Sequence, residues 1–237
     1  MIPAMAARSA SSAASGTRPG SCAPARLSSA MVTLLLSIRV IYPIRPAPTM
    51  PQKNRRDAIR ATELEALTAN LAIRDLAALY MRGLDRLDRD LLRAQFWDDA
   101  YLSYGIYEGG PDGFADFCID ALKTHERNHH MLGQHLIELS GDEAFGEVYY
   151  QAYHKLTNEA DEPRDLFISG RYVDRLEKRG GVWKFAYRSE LVDWVRDDPC
   201  TDAFLDGSPM ILGARKPADP LYDRIAMTRT PEPDHDL

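Results

Sequence analysis

An acidic residue, a tyrosine and a group of histidines are the parts of this sequence best suited to chemistry. Asp85 follows Tyr80 by five residues, just past Gly83, in a stretch whose apolar residues recur at helical steps of three and four. That spacing brings a tyrosine and a carboxylate to the edge of an apolar face. The competing interpretation is that Tyr80 belongs to the core and that Asp85 caps the next helix, because Asp is a favoured N-cap.

Five of the six histidines lie between residues 125 and 154. His129 and His130 open an apolar run with the character of a strand, and side chains alternate across a strand, so one of the two should point inward. A single inward histidine is usually a core residue. If a carboxylate holds one of its ring nitrogens, the tautomer is fixed and the other nitrogen becomes a better general base. Asp85 is the candidate partner.

The segment HERNH, from His125 to His129, matches the HExxH pattern of zinc enzymes. That pattern needs a buried helix with apolar neighbours, whereas Lys123, Thr124, Arg127 and Asn128 surround it here at the end of a short helix. We therefore expect no metal site at this segment.

Composition predicts an ordinary globular protein with one main domain. The chain has 237 residues, of which 45% are hydrophobic and 27% charged, and a net charge of -6. That charge argues against nucleic acid and against anionic membranes as partners, because both require a basic surface. Three widely separated cysteines, Cys22, Cys118 and Cys200, fit a reducing compartment, so we expect the protein to be cytoplasmic.

The two ends of the chain differ from the middle. Residues 1–52 carry no periodic core face and are interpreted as a disordered or wrongly assigned extension, with a targeting sequence as the alternative. Residues 198–237 are rich in Pro and Asp. We interpret them as a structured arm that covers a pocket mouth or a neighbouring subunit, followed by a loose tail.

The middle, residues 53–197, predicts helices first and a sheet afterwards. A long N-terminal helix, with a break near Asn70, leads into the stretch that carries Tyr80 and Asp85. A strand is expected between Asp98 and Gly110, a helix from Phe114 to Lys123, and then four strands separated by short turns, which makes neighbouring strands antiparallel. The fold class is therefore α+β, with helices covering one face of a curved antiparallel sheet that encloses a pocket.

The ordered segments YMRGLDRLD, FWDDA, HHMLGQHLIELSGDEA, EVYYQAYHKL and GRYVDRLEKRGGVWKFAYR together resemble the SnoaL-like branch of the nuclear transport factor two-like superfamily. The likeness spans about residues 60 to 197. It implies a cone of curved sheet closed by N-terminal helices around a deep pocket, assembled as a homodimer or homotrimer. The superfamily includes scytalone dehydratase, a bile-acid dehydratase, a hexachlorocyclohexane dehydrochlorinase, polyketide cyclases and steroid isomerases.

The resemblance also implies roles for particular residues. In the lyases of the superfamily an Asp after the first long helix pairs with a His at the start of a strand, and that His removes a proton from carbon. Asp85 matches the first position and His130 the second, with His129 as the alternative because the spacing to Gly133 is offset by one residue. Tyr80 and Tyr104 match tyrosines that face the substrate. An acid of the bile-acid enzyme falls near Ala152, where His154 is the nearest substitute.

The resulting hypothesis is a cofactor-independent, dehydratase-like lyase that acts on a small, hydrophobic, ring-bearing substrate such as an aromatic polyketide or steroid. His130, oriented by Asp85, abstracts a proton, Tyr80 and Tyr104 stabilise the enolate, and His154 assists the leaving group. Apolar walls are expected from three further residues, Phe96, Trp97 and Tyr150. The alternatives are a ketosteroid-type isomerase and a non-catalytic ligand-binding or assembly module on the same fold. For Arg171 and Arg188, pairing with acids is favoured over binding a substrate carboxylate.

Overall fold

The structure is a computed structural model that describes residues 52–202, 205 and 207–224, with side chains from Ile59 onward. The chain divides into two compact units, residues 1–57 and residues 58–237, and apart from the first residues of α1 the description below concerns the second unit. Of the N-terminal extension interpreted above as residues 1–52, residues 1–51 lie outside the described residues, and so does the loose tail at the C-terminus, TPEPDHDL. Gln52 belongs to the first helix. No helix in the described part of the chain is long and apolar enough to cross a membrane.

The described residues form three α-helices: α1 (Gln52–Asp85), α2 (Arg89–Ala94) and α3 (Pro111–Leu122). The expected break near Asn70 is wrong, because α1 continues unbroken to Asp85. The next helix is capped by Asp88, whose side chain accepts a hydrogen bond from the Leu91 amide at 3.3 Å, so Asp85 is not its N-cap.

Gly83 explains why α2 can lie so close to α1. A Cβ atom at this position would stand 2.9 Å from the backbone and Cβ of Leu92, which is closer than real Cβ atoms approach. Leu92 is fully buried as a result of this contact. Gly83 therefore lets α1 turn into α2 directly after Asp85 and keeps that carboxylate at the helix end.

Six strands form one sheet in the order β2-β1-β6-β5-β4-β3. Their bounds are β1 (Phe96–Ser103), β2 (Glu108–Gly109), β3 (Arg127–Ser140), β4 (Glu143–Thr157), β5 (Pro163–Arg179) and β6 (Val182–Pro199). The predicted antiparallel pairing of the last four strands is confirmed. One pair differs: β1 runs parallel to β6, and the long connection that a parallel pair requires is supplied by α3 and the four strands that intervene along the chain.

The predicted helical stripe and strand alternation both appear as burial. Ile73, Leu76, Tyr80 and Leu84 of α1 are buried, whereas the more N-terminal Leu64, Leu67 and Leu71 are exposed. On β4 the inward parity is the one that contains Val148, Tyr150, Ala152 and His154, all buried. The sheet therefore presents aromatic and polar side chains together to the face that α1 covers, and the α+β fold is confirmed.

In the C-terminal arm, residues 207–224 include a short 3-10 helix, Pro220–Tyr222. Its contacts go to the junction of α1 and α2: the Lys216 amide donates to the Arg86 carbonyl at 2.9 Å, and the Tyr222 hydroxyl donates to Asp88 at 3.1 Å. The arm thus lies against the chain that carries Asp85.

Candidate active site

Asp85 and His130 meet between the end of α1 and the start of β3. The His130 Nδ1 lies 2.7 Å from Asp85 Oδ1, and the side chains are only 7% and 10% exposed respectively. The His130 backbone N–H points at the same carboxylate, at 3.2 and 3.1 Å from its two oxygens. A carboxylate at the helix end is thereby fixed to the first residues of the sheet.

His129 is exposed on the opposite face of β3, so strand alternation selects His130 as the inward histidine. Since a carboxylate accepts hydrogen bonds, His130 donates through Nδ1–H and keeps the lone pair of Nε2. No described residue forms a hydrogen bond with Nε2. That nitrogen is therefore the one able to take up a proton.

Asn128 completes the surroundings of the carboxylate. Its Nδ2 donates to Asp85 Oδ1 at 3.0 Å and lies 3.4 Å from the Leu84 carbonyl. The sequence reasoning missed this residue, although alternation along β3 puts Asn128 on the same face as His130 and could have indicated it.

Two more buried histidines stand beside His130. The Nδ1 atoms of His125 and His154 are 3.2 Å apart, and the rings of His130 and His154 are 5.3 Å apart at 78°. Burial lowers the pKa of His154 to about 3, and the charges of His130 and His125 act in the same direction. Burial, followed by the charges of Arg215 and His130, lowers the pKa of His125 to about 4. Both rings are therefore neutral near pH 7.

The two predicted tyrosines contact each other deeper in the fold. Their hydroxyls are 2.8 Å apart, and Tyr80 is fully buried against the rings of Phe96, Phe114, Tyr172 and Phe185. Burial raises the pKa of both Tyr80 and Tyr104 above the ordinary tyrosine value. Each therefore keeps its proton. One hydroxyl donates to the other, which leaves one O–H of the pair for another acceptor.

Arg188 lies among these rings with Asp174 as its partner. Two hydrogen bonds of 2.8 Å join the guanidinium to the carboxylate, and the guanidinium carbon is 4.3 Å from the ring centres of Tyr80 and Tyr172. The predicted pairing with an acid is confirmed for Arg188, and also for Arg171, which contacts Glu147 at 2.8 Å. The Arg188 Nη1 atom is buried without a hydrogen bond to any described residue.

The three expected apolar walls are placed differently. Phe96 is fully buried in the aromatic core, and Tyr150 stacks on Tyr172 at 4.6 Å. Trp97 lies apart from them: its indole donates to the Glu177 carbonyl, and Arg179 and Lys184 stand over its ring. The structure therefore removes Trp97 from the candidate site, because adjacent strand residues point to opposite faces.

Glu190 was also missed by the sequence reasoning. It pairs with Tyr172 across β5 and β6, which places it on the inward face. Burial raises the pKa of its carboxyl, while the Tyr150 hydroxyl and the charge of His130 oppose that rise. Glu190 and Arg188 lie two residues apart on β6 and therefore face the same side of the sheet, and this alternation could have indicated Glu190 as a site residue.

The zinc interpretation of HERNH fails on its context. His125 and Glu126 lie in the bend after α3, and His129 lies in β3, so the motif is not helical. Over the residues the structure describes, no cluster of three potential metal-binding side chains is found.

Two cavities reach the Asp85 carboxylate. One of about 350 Å³ lies between α1 and the start of β3 and is lined by Met81, Arg82, His130 and Leu132 among others. The other, of about 570 Å³, lies between Asp85, Asn128, His129 and the arm residues 212–216. The enclosed hydrophobic pocket expected inside the cone stays a prediction.

Comparison with known proteins agrees with this architecture. A family model described as a SnoaL-like domain matches residues 65–189, more than half of the chain. The chain belongs to the SnoaL-like family. The match runs from Glu65 of α1 into β6 and therefore includes Tyr80, Asp85 and His130.

The proteins that are similar to this SnoaL-like chain include lyases. The gamma-hexachlorocyclohexane dehydrochlorinase of Sphingobium indicum is 28% identical over 140 residues, which cover 56% of this chain and 86% of the relative. A crystal structure of a type 2 hexachlorocyclohexane dehydrochlorinase has a TM-score of 0.53 at 26% identity, covering 57% of this chain and 92% of the other. A structure from Novosphingobium aromaticivorans, described as a candidate scytalone dehydratase, has a TM-score of 0.51 at 25% identity, covering 57% and 91%.

Proposed function

We propose that this SnoaL-like protein is a cofactor-independent lyase in which the Asp85–His130 pair removes a proton from carbon next to a leaving group. The substrate class is a small, hydrophobic, ring-bearing molecule. The observation that carries the proposal is the 2.7 Å contact between His130 Nδ1 and Asp85 Oδ1 at a largely buried place. The lyase activities named for its relatives support it.

The chemistry follows from the tautomer. With Nδ1–H directed at Asp85, the lone pair of Nε2 attacks the C–H proton, and the imidazolium that forms is stabilised by the negative charge of Asp85. His125 and His154, both with lowered pKa values, bring no positive charge to oppose this step. The C–H electron pair forms the new double bond as the leaving group departs with its own bonding pair.

Negative charge that develops on the substrate would meet hydrogen-bond donors. Tyr80 and Tyr104 keep their protons because burial raises the pKa of each, and Arg188 has an unpartnered Nη1 among the same rings. Donors already oriented toward developing charge lower the barrier more than mobile water does.

The leaving group decides how His154 acts. A halide departs as a stable anion and needs only a hydrogen bond, which a neutral His154 can supply. Hydroxide needs a proton, and Glu190, whose carboxyl pKa is raised by burial, suits that role better than His154. Halide elimination therefore needs no proton donor besides the pair, whereas dehydration would need an acid such as Glu190.

The decisive experiment replaces each partner without changing its size. Asp85→Asn and His130→Gln should lower kcat/KM by about 10²–10⁴-fold, the usual contribution of a general base. Two probes are used, γ-hexachlorocyclohexane with chloride release as the measurement, and a set of cyclic β-hydroxy ketones with the dehydrated product measured by mass spectrometry.

His129→Gln is the matched control, since His129 is the adjacent, exposed histidine. It should retain full activity and the same thermal unfolding as the parent. Turnover by the parent that Asp85→Asn and His130→Gln leave unchanged would refute the role of the pair. A product that has exchanged a proton but lost no group would instead identify an isomerase and refute the lyase proposal.

A further inference from the structure

We infer that Arg215, on the C-terminal arm, is a positioning residue for the Asp85–His130 pair and acts through Asn128. The inference rests on the proposed function for its catalytic meaning, but the contact chain that carries it is independent of any substrate. It runs from Arg215 Nη2 to Asn128 Oδ1 at 3.1 Å, from Asn128 Nδ2 to Asp85 Oδ1 at 3.0 Å, and from that oxygen to His130 Nδ1 at 2.7 Å.

The hydrogen-bonding chemistry of Arg215 and Asp85 fixes the orientation of the Asn128 side-chain amide, which lies between them. A guanidinium can only donate hydrogen bonds, and an ionised carboxylate can only accept them. The Asn128 side chain therefore has one consistent arrangement, with its oxygen toward Arg215 and its NH₂ toward Asp85. Without Arg215 the Asn128 oxygen loses its donor, and the amide is held only from its NH₂ side, by Asp85 and the Leu84 carbonyl.

Arg215 is itself held in place. The same Nη2 group lies 3.0 Å from the Leu122 carbonyl and 2.7 Å from the His125 carbonyl, at the end of α3 and the bend that follows. The guanidinium therefore joins α3, β3 and, through Asn128, the end of α1. This placement explains how a residue of the arm can set the position of a side chain on the first helix.

The rest of the arm is anchored on both sides of Asp85. Beyond the amide of Lys216 on the Arg86 carbonyl, the Lys216 ammonium contacts Asp88 at 2.9 Å, and Arg86 contacts Asp219 at 3.3 Å. The SnoaL-like match ends at residue 189, so these contacts come from a segment outside the shared domain. The arm supplies this chain with a support for the pair that its own domain sequence does not contain.

A purely structural role for Arg215 is the competing explanation, because its carbonyl contacts alone would tie the arm to α3. The two explanations differ in what happens at His130. If Arg215 acts through Asn128, removing it loosens the Asn128 amide that donates to Asp85, and the titration of His130 changes with it. The other titratable groups around His130 are Asp85 itself, His125, His154 of β4 and Glu190 of β6, together with Arg82 and Arg86, which line the same cavity. All of them are retained when Arg215 is replaced.

The test uses Arg215→Met in the full chain, with Lys216→Met as the matched control. Both changes remove one cation from neighbouring positions of the arm, but only the first removes the contact to Asn128. We expect Arg215→Met to lower kcat about 10-fold, the size of one lost positioning hydrogen bond, with little change in KM. The acid limb of the kcat/KM profile should move to higher pH, because the site loses a positive charge that disfavours protonation of His130.

The same shift should appear without any substrate, in an NMR titration of the His130 ring protons. It should be absent in Lys216→Met and partly reversed in Arg215→Lys, which restores a donor. Adding Arg215→Met to Asn128→Ala should cause no further loss, since both act on one path.

The outcomes separate the two proposals. A shifted His130 titration in Arg215→Met supports the inference even if no probe is turned over, in which case the proposed function alone fails. An unchanged His130 titration together with a lowered thermal midpoint means that Arg215 only anchors the arm, and it overturns the inference. Additive losses in the Asn128→Ala, Arg215→Met double variant also overturn it.

Discussion

Two polar clusters lie under α1, and they handle burial in opposite ways. The histidine cluster consists of Asp85, His125, His130 and His154, and the arginine cluster consists of Arg188 and Asp174 among the rings of Tyr80, Tyr172 and Phe185. In the arginine cluster burial raises the pKa of the Asp174 carboxyl, and Arg188 opposes that rise. Two hydrogen bonds and the facing rings compensate the guanidinium and the carboxylate for the lost water, which favours the charged forms of both.

In the histidine cluster, burial instead disfavours the charged form of the imidazole rings. Burial lowers the pKa of His125 and of His154, so these rings stay neutral and carry no extra proton near pH 7. Asp85 is then the nearest full charge to His130, and it is negative. The difference indicates that the arginine cluster is built to hold charge permanently, whereas the histidine cluster is built to accept a proton temporarily.

Breaking the arginine cluster should have the largest effect on stability. Arg188→Met leaves the fully buried Asp174 carboxylate without its partner, and breaking one side of a buried pair costs about 3–5 kcal/mol. Urea unfolding should show that loss, and the double variant Arg188→Met, Asp174→Leu should recover most of it.

Arg171→Met is the control, because the pair of Arg171 with Glu147 is partly exposed to solvent. It should change the unfolding midpoint little. Equal losses in Arg171→Met and Arg188→Met would mean that burial does not distinguish the two pairs.

The histidine cluster predicts a pH dependence of stability. In the unfolded chain a histidine titrates near pH 6.5, whereas the folded His154 and His125 have pKa values of about 3 and about 4. The unfolded state therefore binds more protons between these values, and stability is lost as pH falls below about 6.5. The loss per histidine reaches about 1.4 kcal/mol for each pH unit.

His154→Gln should make this slope shallower in urea unfolding measured from pH 7 to pH 4. His129→Gln, which changes an exposed histidine, should leave the slope unchanged. Equal slopes in the parent, His154→Gln and His129→Gln would contradict the prediction that burial keeps His154 neutral in the folded protein.

The smallest predicted effect on stability concerns the Tyr80 hydroxyl and tests whether Tyr80 has a role beyond the core. Tyr80→Phe removes the 2.8 Å hydrogen bond to Tyr104 while keeping the ring, so we expect a loss of about 1 kcal/mol in unfolding free energy. If the hydroxyl stabilises charge on the substrate, kcat should fall more than this stability loss explains. Full activity in Tyr80→Phe would leave Tyr80 as a core residue only.

Local patterns predicted much of the fold. Alternation located four of the six strands, and the apolar spacing of α1 identified its buried face at Ile73, Leu76 and Tyr80. The same patterns failed where spatial neighbours override local preference. Asp85 was as good an N-cap by residue type as Asp88, and only the close approach of α2 at Gly83 decided between them.

Individual site residues show the same division. Alternation shows that His129 and His130 face opposite sides of their strand, but it does not show which of them faces inward, so both were open alternatives. Phe96 and Trp97 were both expected in the pocket wall, although adjacent strand residues point to opposite faces of the sheet. Asn128 and Glu190 were missed because an amide and a carboxylate on a strand have many uses. The residues that contact Asn128 and pair with Glu190 lie on other elements, far away along the sequence, and local patterns do not reveal them.

By itself the sequence determined the order of helices and strands, the two alternating faces of β4, and the residue types available for acid–base chemistry, since these depend on spacing along the chain. Tertiary structure alone decided that Asp85 meets His130, that His154 meets His125, and that Arg215 reaches Asn128 from 87 residues away. The physical reason is that hydrogen bonds and pKa shifts act over a few ångströms of space, and sequence distance does not report such proximity.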